Sequence, residues 1–277
     1  MIPAGFEYHR PSDIAGAVSI LQEHGDEARV IAGGHSLIPM MKLRMADMGH
    51  LIDLQDIDAL KGISVDGDTV TIGAMVTQHE LITNDALGSA VPIIKEAALL
   101  IADPQVRYVG TVGGNVANGD PGNDMPGLMQ CLNATFELSG PDGTRSVAAR
   151  EFYEAAYFTA RDDEEILTRI SIPVPAAGTG YAYEKQKRKI GDYATAAAAV
   201  MIGGGTASVA MTNLADTPIW SEDAGAALAA GDVEGCVTAM LGAIDPVADN
   251  RGPVEFKKHV AAVILRRAIA RAQSRAA

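Results

Sequence analysis

Apolar residues recur every three or four positions in several segments, which is the spacing of a helix with one buried face. The first such segment starts after Ser12, a residue type that caps helices, and ends at Gly25. Its apolar face consists of Ile14, Ala17, Val18 and Leu21. Longer helices are predicted over residues 91–101, 124–132 and 254–273. Thr77-Gln78-His79-Glu80 is a capping box that predicts a shorter one.

Short apolar runs bounded by turn residues alternate with these helices and predict strands. They cover residues 29–32, 50–54, 62–65, 69–74, 134–139, 145–148, 165–174, 180–187, 194–202 and 207–214. Asp66-Gly67 and Pro141-Asp142-Gly143 indicate hairpin turns. Pro39 fits the first position of a short helix that follows Gly33-Gly34. The pattern therefore predicts an α+β chain of mixed α/β units followed by a sheet and helices.

A domain junction is expected near Ala176, because Pro173, Pro175 and Gly178 interrupt the pattern there. This divides the chain into residues 1–176, with subdomains of about 1–55 and 56–176, and residues 177–277. Residues 103–124 are rich in glycine, asparagine and proline, and we expect a long irregular loop. Long irregular loops inside compact domains are usually functional.

Composition narrows the function. The 277 residues are 48% hydrophobic and carry a formal net charge of -13, which argues against a general nucleic-acid surface. The longest apolar run, residues 194–202, is too short to span a membrane. We expect a cytoplasmic location, with peripheral attachment to the inner face of the membrane left open.

The cysteine count limits the redox chemistry of the chain. Cys131 and Cys236 are the only cysteines, far apart and outside any C-x-x-C motif. A four-cysteine iron–sulfur cluster or zinc–thiolate site therefore cannot form from this chain alone. We expect no metal site here.

Two glycine pairs carry the candidate chemistry. Ala32-Gly33-Gly34-His35-Ser36 and Thr111-Val112-Gly113-Gly114-Asn115 each follow an apolar run. Glycine permits positive φ and close approach of a ligand to backbone N–H groups, so the pairs are interpreted as two halves of a phosphate cradle. Each pair taken singly is as well explained by an ordinary tight turn. Neither is a G-x-G-x-x-G or P-loop motif, which argues against a Rossmann site.

Asp124 and a basic segment complete the candidate site. Asp124 is interpreted either as a first-turn acid of its helix or as an acceptor for a ribityl or ribose hydroxyl. In a strand, Tyr183, Lys185 and Lys187 share one face, so a lysine there can point at a phosphate or a flavin ring. Tyr193 can cover a planar cofactor. A solvated charged face remains the alternative for this segment.

The chain resembles the FAD-binding medium subunits of molybdenum hydroxylases, the xanthine dehydrogenase family. The resemblance rests on the two glycine segments, on residues 103–108 and 118–126, and on Tyr183-Glu184-Lys185 through Asp192-Tyr193. It runs along the whole chain and is strongest to the branch whose complexes oxidise carbon monoxide.

The resemblance implies a fold, a cofactor and partners. The fold is an FAD-binding domain of the p-cresol methylhydroxylase and vanillyl-alcohol oxidase type, followed by a small antiparallel sheet with helices. The partners are a large subunit with the molybdenum cofactor and a small subunit with two [2Fe–2S] clusters, in a dimer of heterotrimers. Substrate is oxidised at molybdenum, and electrons pass through the clusters to FAD and then to a quinone or other acceptor.

The resemblance also implies roles for single residues. The pyrophosphate of FAD lies against Ala32, Gly33, Gly34, His35 and Ser36, and against Thr111, Gly113, Gly114 and Asn115. Asp124 contacts the ribityl or adenosine portion, Ile166 or Leu167 packs against the isoalloxazine ring, and Lys185 and Tyr193 contact or cover the flavin. No residue of this chain is expected to be catalytic.

Three other functions remain open from the sequence. A related flavin subunit could serve an aldehyde or N-heterocycle hydroxylase, because the substrate is chosen at molybdenum. A self-contained FAD-dependent reductase of the same fold is the second alternative. A nucleotide-binding scaffold without catalysis is the third, and the basic C-terminal helix would dock its partner.

Overall fold

The computed structural model describes residues 2–277, which form three larger sheets and a two-stranded sheet, β8-β9, flanked by helices. The strands are β1 (Glu7–His9), β2 (Ala28–Ile31), β3 (His50–Asp53), β4 (Ile63–Asp66), β5 (Thr69–Gly73), β6 (Thr135–Gly140), β7 (Gly143–Ala148), β8 (Tyr153–Ala155), β9 (Phe158–Thr159), β10 (Ile166–Pro173), β11 (Gly180–Gln186), β12 (Ala196–Gly203), β13 (Thr206–Thr212) and β14 (Ile219–Trp220). The helices are α1 (Ile14–His24), α2 (Leu37–Lys42), α3 (Gln78–Thr83), α4 (Asp85–Ala90), α5 (Pro92–Leu100), α6 (Pro104–Val109), α7 (Val112–Ala117), α8 (Asp124–Cys131), α9 (Glu222–Ala229), α10 (Val233–Ala243) and α11 (Val254–Gln273).

The first unit is a small parallel sheet in the order β1-β3-β2, with α1 packed on it. The sequence predicted α1 and Gly25 as its end, but the cap is Asp13 rather than Ser12. The Asp13 carboxylate accepts a bond from the Gly16 N–H at 2.7 Å. An N-cap side chain satisfies one of the free N–H groups of the first turn, and a carboxylate also suits the helix dipole.

The second unit is a five-stranded antiparallel sheet in the order β4-β5-β10-β6-β7. The two predicted hairpins, β4–β5 and β6–β7, flank the long strand β10, which pairs with β5 on one side and β6 on the other. Phe136 and Ile170 pair across this sheet and are fully buried beneath the helices. The predicted capping box at Thr77 is confirmed, with Glu80 bonding back to the Thr77 N–H at 2.8 Å.

The third unit is the antiparallel sheet β11-β12-β13-β14. Its central strand β12 is buried on both faces: Ala197 and Ala199 pack toward α8, whereas Ala198 and Val200 pack toward α11. Small side chains let helices approach both faces closely. The apolar run at residues 194–202, which the sequence predicted as a strand, corresponds to β12, and the structure shows that helices cover both of its faces.

One hydrophobic cluster joins the second unit to the third. It contains Met125 and Leu128 of α8 together with Tyr183 of β11 and Ala197 of β12. The predicted division at Ala176 thus falls in a connection between two units that share a core, and the domain boundary itself stays a prediction.

Three local predictions differ from the structure. Residues 103–124 are not one irregular loop, since α6 and α7 form there behind the caps Asp103 and Thr111. Pro39 is the third rather than the first residue of α2. Helices α9 and α10 lie between residues 214 and 254, where the sequence analysis assigned no bounds to any element. Among residues 2–277, none of the helices is both long and apolar enough to cross a bilayer.

Candidate cofactor-binding cleft

A cleft of about 710 Å³ lies where the three units meet. Its volume falls in the range of about 300–1,000 Å³ that is usual for cofactor and ligand sites. All fourteen residues proposed from the sequence line it: Ala32, Gly33, Gly34, His35, Ser36, Thr111, Gly113, Gly114, Asn115, Asp124, Ile166, Leu167, Lys185 and Tyr193. The fold therefore brings together residues that are up to 161 positions apart (193 - 32).

The first glycine segment follows the carboxyl end of β2 and lies against the end of α6. A Cβ atom on Gly33 would stand 2.5 Å from the Val109 carbonyl oxygen and 2.7 Å from the Gly110 Cα. Gly34 has φ +70°, a left-handed conformation that glycine adopts without strain. Both glycines are thus required by the backbone, one for close approach and one for its dihedral angle.

The sequence suggested that the second glycine pair forms a tight turn between elements. In the structure the pair instead belongs to helix α7, within its first helical turn. The Thr111 hydroxyl caps this turn by accepting the Gly114 N–H at 3.0 Å. A Cβ on Gly114 would project between Thr111 Oγ1, at 2.9 Å, and Ala32 Cβ, at 3.8 Å. The missing side chain leaves open the space between the two glycine segments.

Asn115 ties the second segment to the start of α8. Its Oδ1 accepts the Met125 N–H at 3.3 Å, and its carbonyl oxygen accepts a bond from the Asn123 side chain at 2.8 Å. These bonds fix the loop between α7 and α8 and hold Asp124 at the floor of the cleft.

Asp124 forms a buried polar triad with two residues of β11. Its Oδ1 accepts the Tyr183 hydroxyl at 2.6 Å, and its Oδ2 accepts Lys185 Nζ at 2.7 Å. The Lys185 and Asp124 side chains are 1% and 5% exposed. Burial, and then the charge and bond of Asp124, raise the pKa of Tyr183 well above its ordinary value, so the phenol stays protonated. Asp124 is the first residue of α8, which confirms it as a first-turn acid, while its carboxylate bonds to two residues of β11.

Lys187 shares the face of Tyr183 and Lys185, as the strand alternation predicted. Its Nζ donates to the Leu100 carbonyl oxygen at 2.9 Å, at the end of α5. Burial, and then the nearby charge of Lys185, lower the pKa of Lys187. The basic segment is therefore partly a structural clamp rather than a solvated face.

The apolar wall of the cleft comes from β10. Ile166 and Leu167 are 2% and 4% exposed, and both contribute to the cleft lining. Tyr193 also lines the cleft, with its hydroxyl donating to Asp120 at 3.0 Å and its ring half exposed. Apolar side chains and a half-exposed tyrosine ring in one cleft suit a planar aromatic ligand.

Two arginines in the cleft were missed from the sequence. Arg29 and Arg161 both line it, and burial, followed by the charge of Arg29, lowers the pKa of Arg161. Arg161 Nη1 donates to the Asp162 and Glu165 carbonyl oxygens at 2.6 and 2.8 Å. Neither arginine lies in a motif, and the hydrogen bonds of Arg161 go to backbone oxygens, so no local signal marks them.

Glu165 is a lining carboxylate that is neutralised by Arg145. The pair is bidentate, at 2.6 and 2.7 Å. Burial alone would raise the pKa of Glu165, but the Arg145 bonds and the Asp162 N–H outweigh it and leave this pKa below its ordinary value. The wall of the cleft near β10 thus carries a compensated acid, which limits repulsion of an anionic ligand.

Gln78 is a further lining residue that the sequence suggested only as part of a capping box. It is 1% exposed, and neither atom of its amide has a hydrogen-bond partner among residues 2–277. Buried polar groups are almost always paired, so an unpaired amide in the wall of a cleft favours a polar ligand there.

Two family models together match most of this chain. Residues 4–175 match the family model of the FAD binding domain in molybdopterin dehydrogenase. Residues 181–272 match the CO dehydrogenase flavoprotein C-terminal domain. Both matches cover the segments that line the cleft.

Relatives match over the full length. The carbon monoxide dehydrogenase medium chain of Afipia carboxidovorans is 57% identical, covering 100% of this chain and 99% of the relative. The medium chain from Hydrogenophaga pseudoflava is 43% identical and covers both chains completely. A solved structure of reconstituted CO dehydrogenase from Oligotropha carboxidovorans superposes with a TM-score of 0.97 at 56% identity, over all of both chains. The chain therefore belongs to the family of FAD-binding medium subunits of molybdopterin-dependent dehydrogenases.

Proposed function

We propose that this chain is the FAD-carrying medium subunit of a carbon monoxide dehydrogenase complex. The observation that carries the proposal is that this chain is 57% identical, over its full length, to a carbon monoxide dehydrogenase medium chain. The two glycine segments of this chain also line one cleft, which supports the proposal. Bound FAD supplies one- and two-electron redox chemistry. The protein supplies binding, orientation and exclusion of water.

The glycine segments are proposed to hold the pyrophosphate of FAD. Gly114 leaves the gap between Thr111 and Ala32 open, and the unpaired Gln78 amide lies in the same wall. Arg29 and Arg161 place two cations in a lining whose carboxylates Asp124 and Glu165 are already paired with Lys185 and Arg145, and these cations attract a diphosphate. A diphosphate therefore fits the residues present.

The remaining lining residues are proposed to position the ring system. Ile166 or Leu167 packs against one face of the isoalloxazine, and Tyr193 covers it from the other side. Asp124 and Lys185 are proposed to contact the ribityl chain and the flavin while keeping their mutual ion pair. That pair is fixed by β11 and α8, so it presents its polar atoms to the cleft at fixed positions.

The electrons are proposed to come from a small subunit with two [2Fe–2S] clusters, and the substrate is proposed to be oxidised on a large molybdenum subunit. Cys131 and Cys236 are both buried and unpaired, so neither can serve an iron–sulfur cluster in this chain. Whole-length identity to medium chains favours a subunit over a self-contained reductase or a scaffold. A dimer of heterotrimers, a quinone as acceptor, and a cytoplasmic place that includes the inner membrane face stay predictions.

The test uses the complex assembled from this chain and its two co-expressed partner subunits. We expect one FAD per medium chain and bleaching of the visible absorbance of the oxidised flavin when CO is added without an acceptor. Bleaching by an aldehyde or an N-heterocycle, but not by CO, would reassign the substrate. Absence of flavin from a complex that retains molybdenum and iron would refute the proposal. Turnover of NADH by the chain alone would instead support the self-contained reductase.

A further inference from the structure

Three of the six histidines meet beside the parallel sheet, and none of the three lines the cleft. His9 ends β1, His24 ends α1 and His50 begins β3. One nitrogen of each lies within 4.8 Å of the others. The glycine turn follows the carboxyl end of β2, whereas His50 stands at the amino end of the neighbouring strand. This cluster is therefore separate from the cofactor cleft, and none of its members lines that cleft.

The pairing of β1 with β3 creates the cluster. Glu7 stands opposite His50 in the ladder, and His9 lies two residues further along β1, on the same face as Glu7. Helix α1 ends over this face and adds His24. Four side chains with metal-ligand atoms thus come from three elements of the first unit, and the sheet register fixes three of them.

The distances fit a small divalent cation. His9 Nε2 and His50 Nδ1 are 3.0 Å apart, and a Glu7 carboxylate oxygen is 3.7 Å from His50 Nδ1. Two nitrogens bound to one tetrahedral zinc ion at about 2.0–2.1 Å are about 3.3 Å apart. These two separations bracket this value, so His9, His50 and Glu7 need to move only by tenths of an ångström.

The ring of His24 lies nearly parallel to that of His50, with centroids 3.6 Å apart. It has to rotate out of this stack to direct a lone pair at an ion shared with His50. The three histidines are half-buried and Glu7 is exposed, so the cluster is open to an ion from solvent. The side chain of Glu27 lies next to Gly49, which adds a second carboxylate near the entrance.

We propose that His9, His24 and His50 bind one zinc ion, with Glu7 or a water molecule as the fourth ligand. Imidazole and carboxylate are the ligand types that zinc takes in tetrahedral sites, and the absence of thiolates argues against an iron–sulfur or copper(I) site here. The ion would join β1, β3 and the end of α1, so its role is to stabilise the first unit.

The test uses the full-length chain loaded with FAD, purified without a histidine tag and treated with a chelator. Zinc sulfate is titrated by isothermal calorimetry, and bound zinc is counted after dialysis. We expect one zinc per chain, a zinc-dependent rise in melting temperature, and affinity at least about tenfold lower in each of His9→Ala, His24→Ala and His50→Ala. Cobalt(II) should give the intense visible bands of a tetrahedral site.

The matched control is His259→Ala, which removes an exposed histidine of α11 outside the cluster and should leave zinc affinity unchanged. Because His50→Ala could unfold β3, His24→Ala at the end of α1 is compared with it by circular dichroism and by flavin content. Unchanged zinc affinity in a folded His24→Ala variant, or an equal loss in His259→Ala, would overturn the proposal. So would a wild-type chain that retains no zinc after dialysis.

Discussion

Replacing Gly33 with alanine tests whether the close approach of the two backbone segments holds the cofactor. The new Cβ would stand 2.5 Å from the Val109 carbonyl oxygen, whereas ordinary contacts begin at 3.4 Å. The segments must therefore separate by about 0.9 Å (3.4 - 2.5). Both contacted atoms belong to backbone at the end of α6, so no side chain can rotate to relieve the clash.

The magnitude follows from the strain. Overpacking of this kind costs about 1–3 kcal/mol. The free protein can relieve it by opening the gap between the glycine segments, but FAD binding has to close the gap again. The strain then makes the free energy of FAD binding less favourable by the same amount. Because 1.4 kcal/mol corresponds to a tenfold change in affinity, we expect FAD to bind about 5- to 150-fold more weakly.

The assay is titration of the apoprotein with FAD, followed by flavin fluorescence. The matched control is Gly242→Ala, the same chemical change on α10, where a Cβ would have no heavy atom within 4 Å. We expect this control to bind FAD like the wild type. A Gly33→Ala protein that is folded and binds FAD within twofold of the control would refute the cradle as the site of the pyrophosphate. In the assembled complex, Gly33→Ala should lower flavin while molybdenum content stays unchanged.

Three further outcomes are expected. Lys185→Met should destabilise the chain by about 3–5 kcal/mol in denaturant unfolding, because it leaves the Asp124 carboxylate buried without its cation, whereas Lys61→Met on the surface should change little. Burial raises the pKa of the Cys131 thiol from 9.0 to about 12. The contribution of this thiol to the free energy of unfolding is therefore fully present below pH 9 and falls as the pH rises toward 12. The Cys131→Ser variant should flatten this alkaline decline. Residues 1–176 expressed alone should aggregate or expose apolar surface to a hydrophobic dye, because α5 and α8 lose the sheet that covers them; a stable monomer would contradict the shared core.

The sequence predicted the elements whose signals are local. The capping box at Thr77, the hairpin turns and the strand at residues 194–202 each depend on neighbours within a few positions. The glycine segments were also recognisable, because a backbone segment that must approach another segment of the same chain closely excludes side chains.

What could not be predicted depends on distant partners. Asp124 meets Lys185 across 61 positions, so neither its role on β11 nor the burial of the lysine follows from local pattern. The helical character of residues 104–117 was hidden by glycine and proline, which are unfavourable inside helices yet common at their first turns. The histidine cluster was invisible for the same reason as the triad, since its members are spread over residues 9–50.

Helix α8 connects the cleft to the sheet of the third unit. All eight of its residues are buried, its first residue lies at the cleft floor, and the rest packs on β12 and β13. A ligand that binds only when Asp124 is held in place must, by thermodynamic linkage, also favour the folded form of the sheet that holds it. Amide hydrogen exchange in β11–β13 should therefore slow when the cleft is filled, although much of that sheet never touches the ligand. Binding of the cofactor would then stabilise the folded form of the carboxyl-terminal third of the subunit.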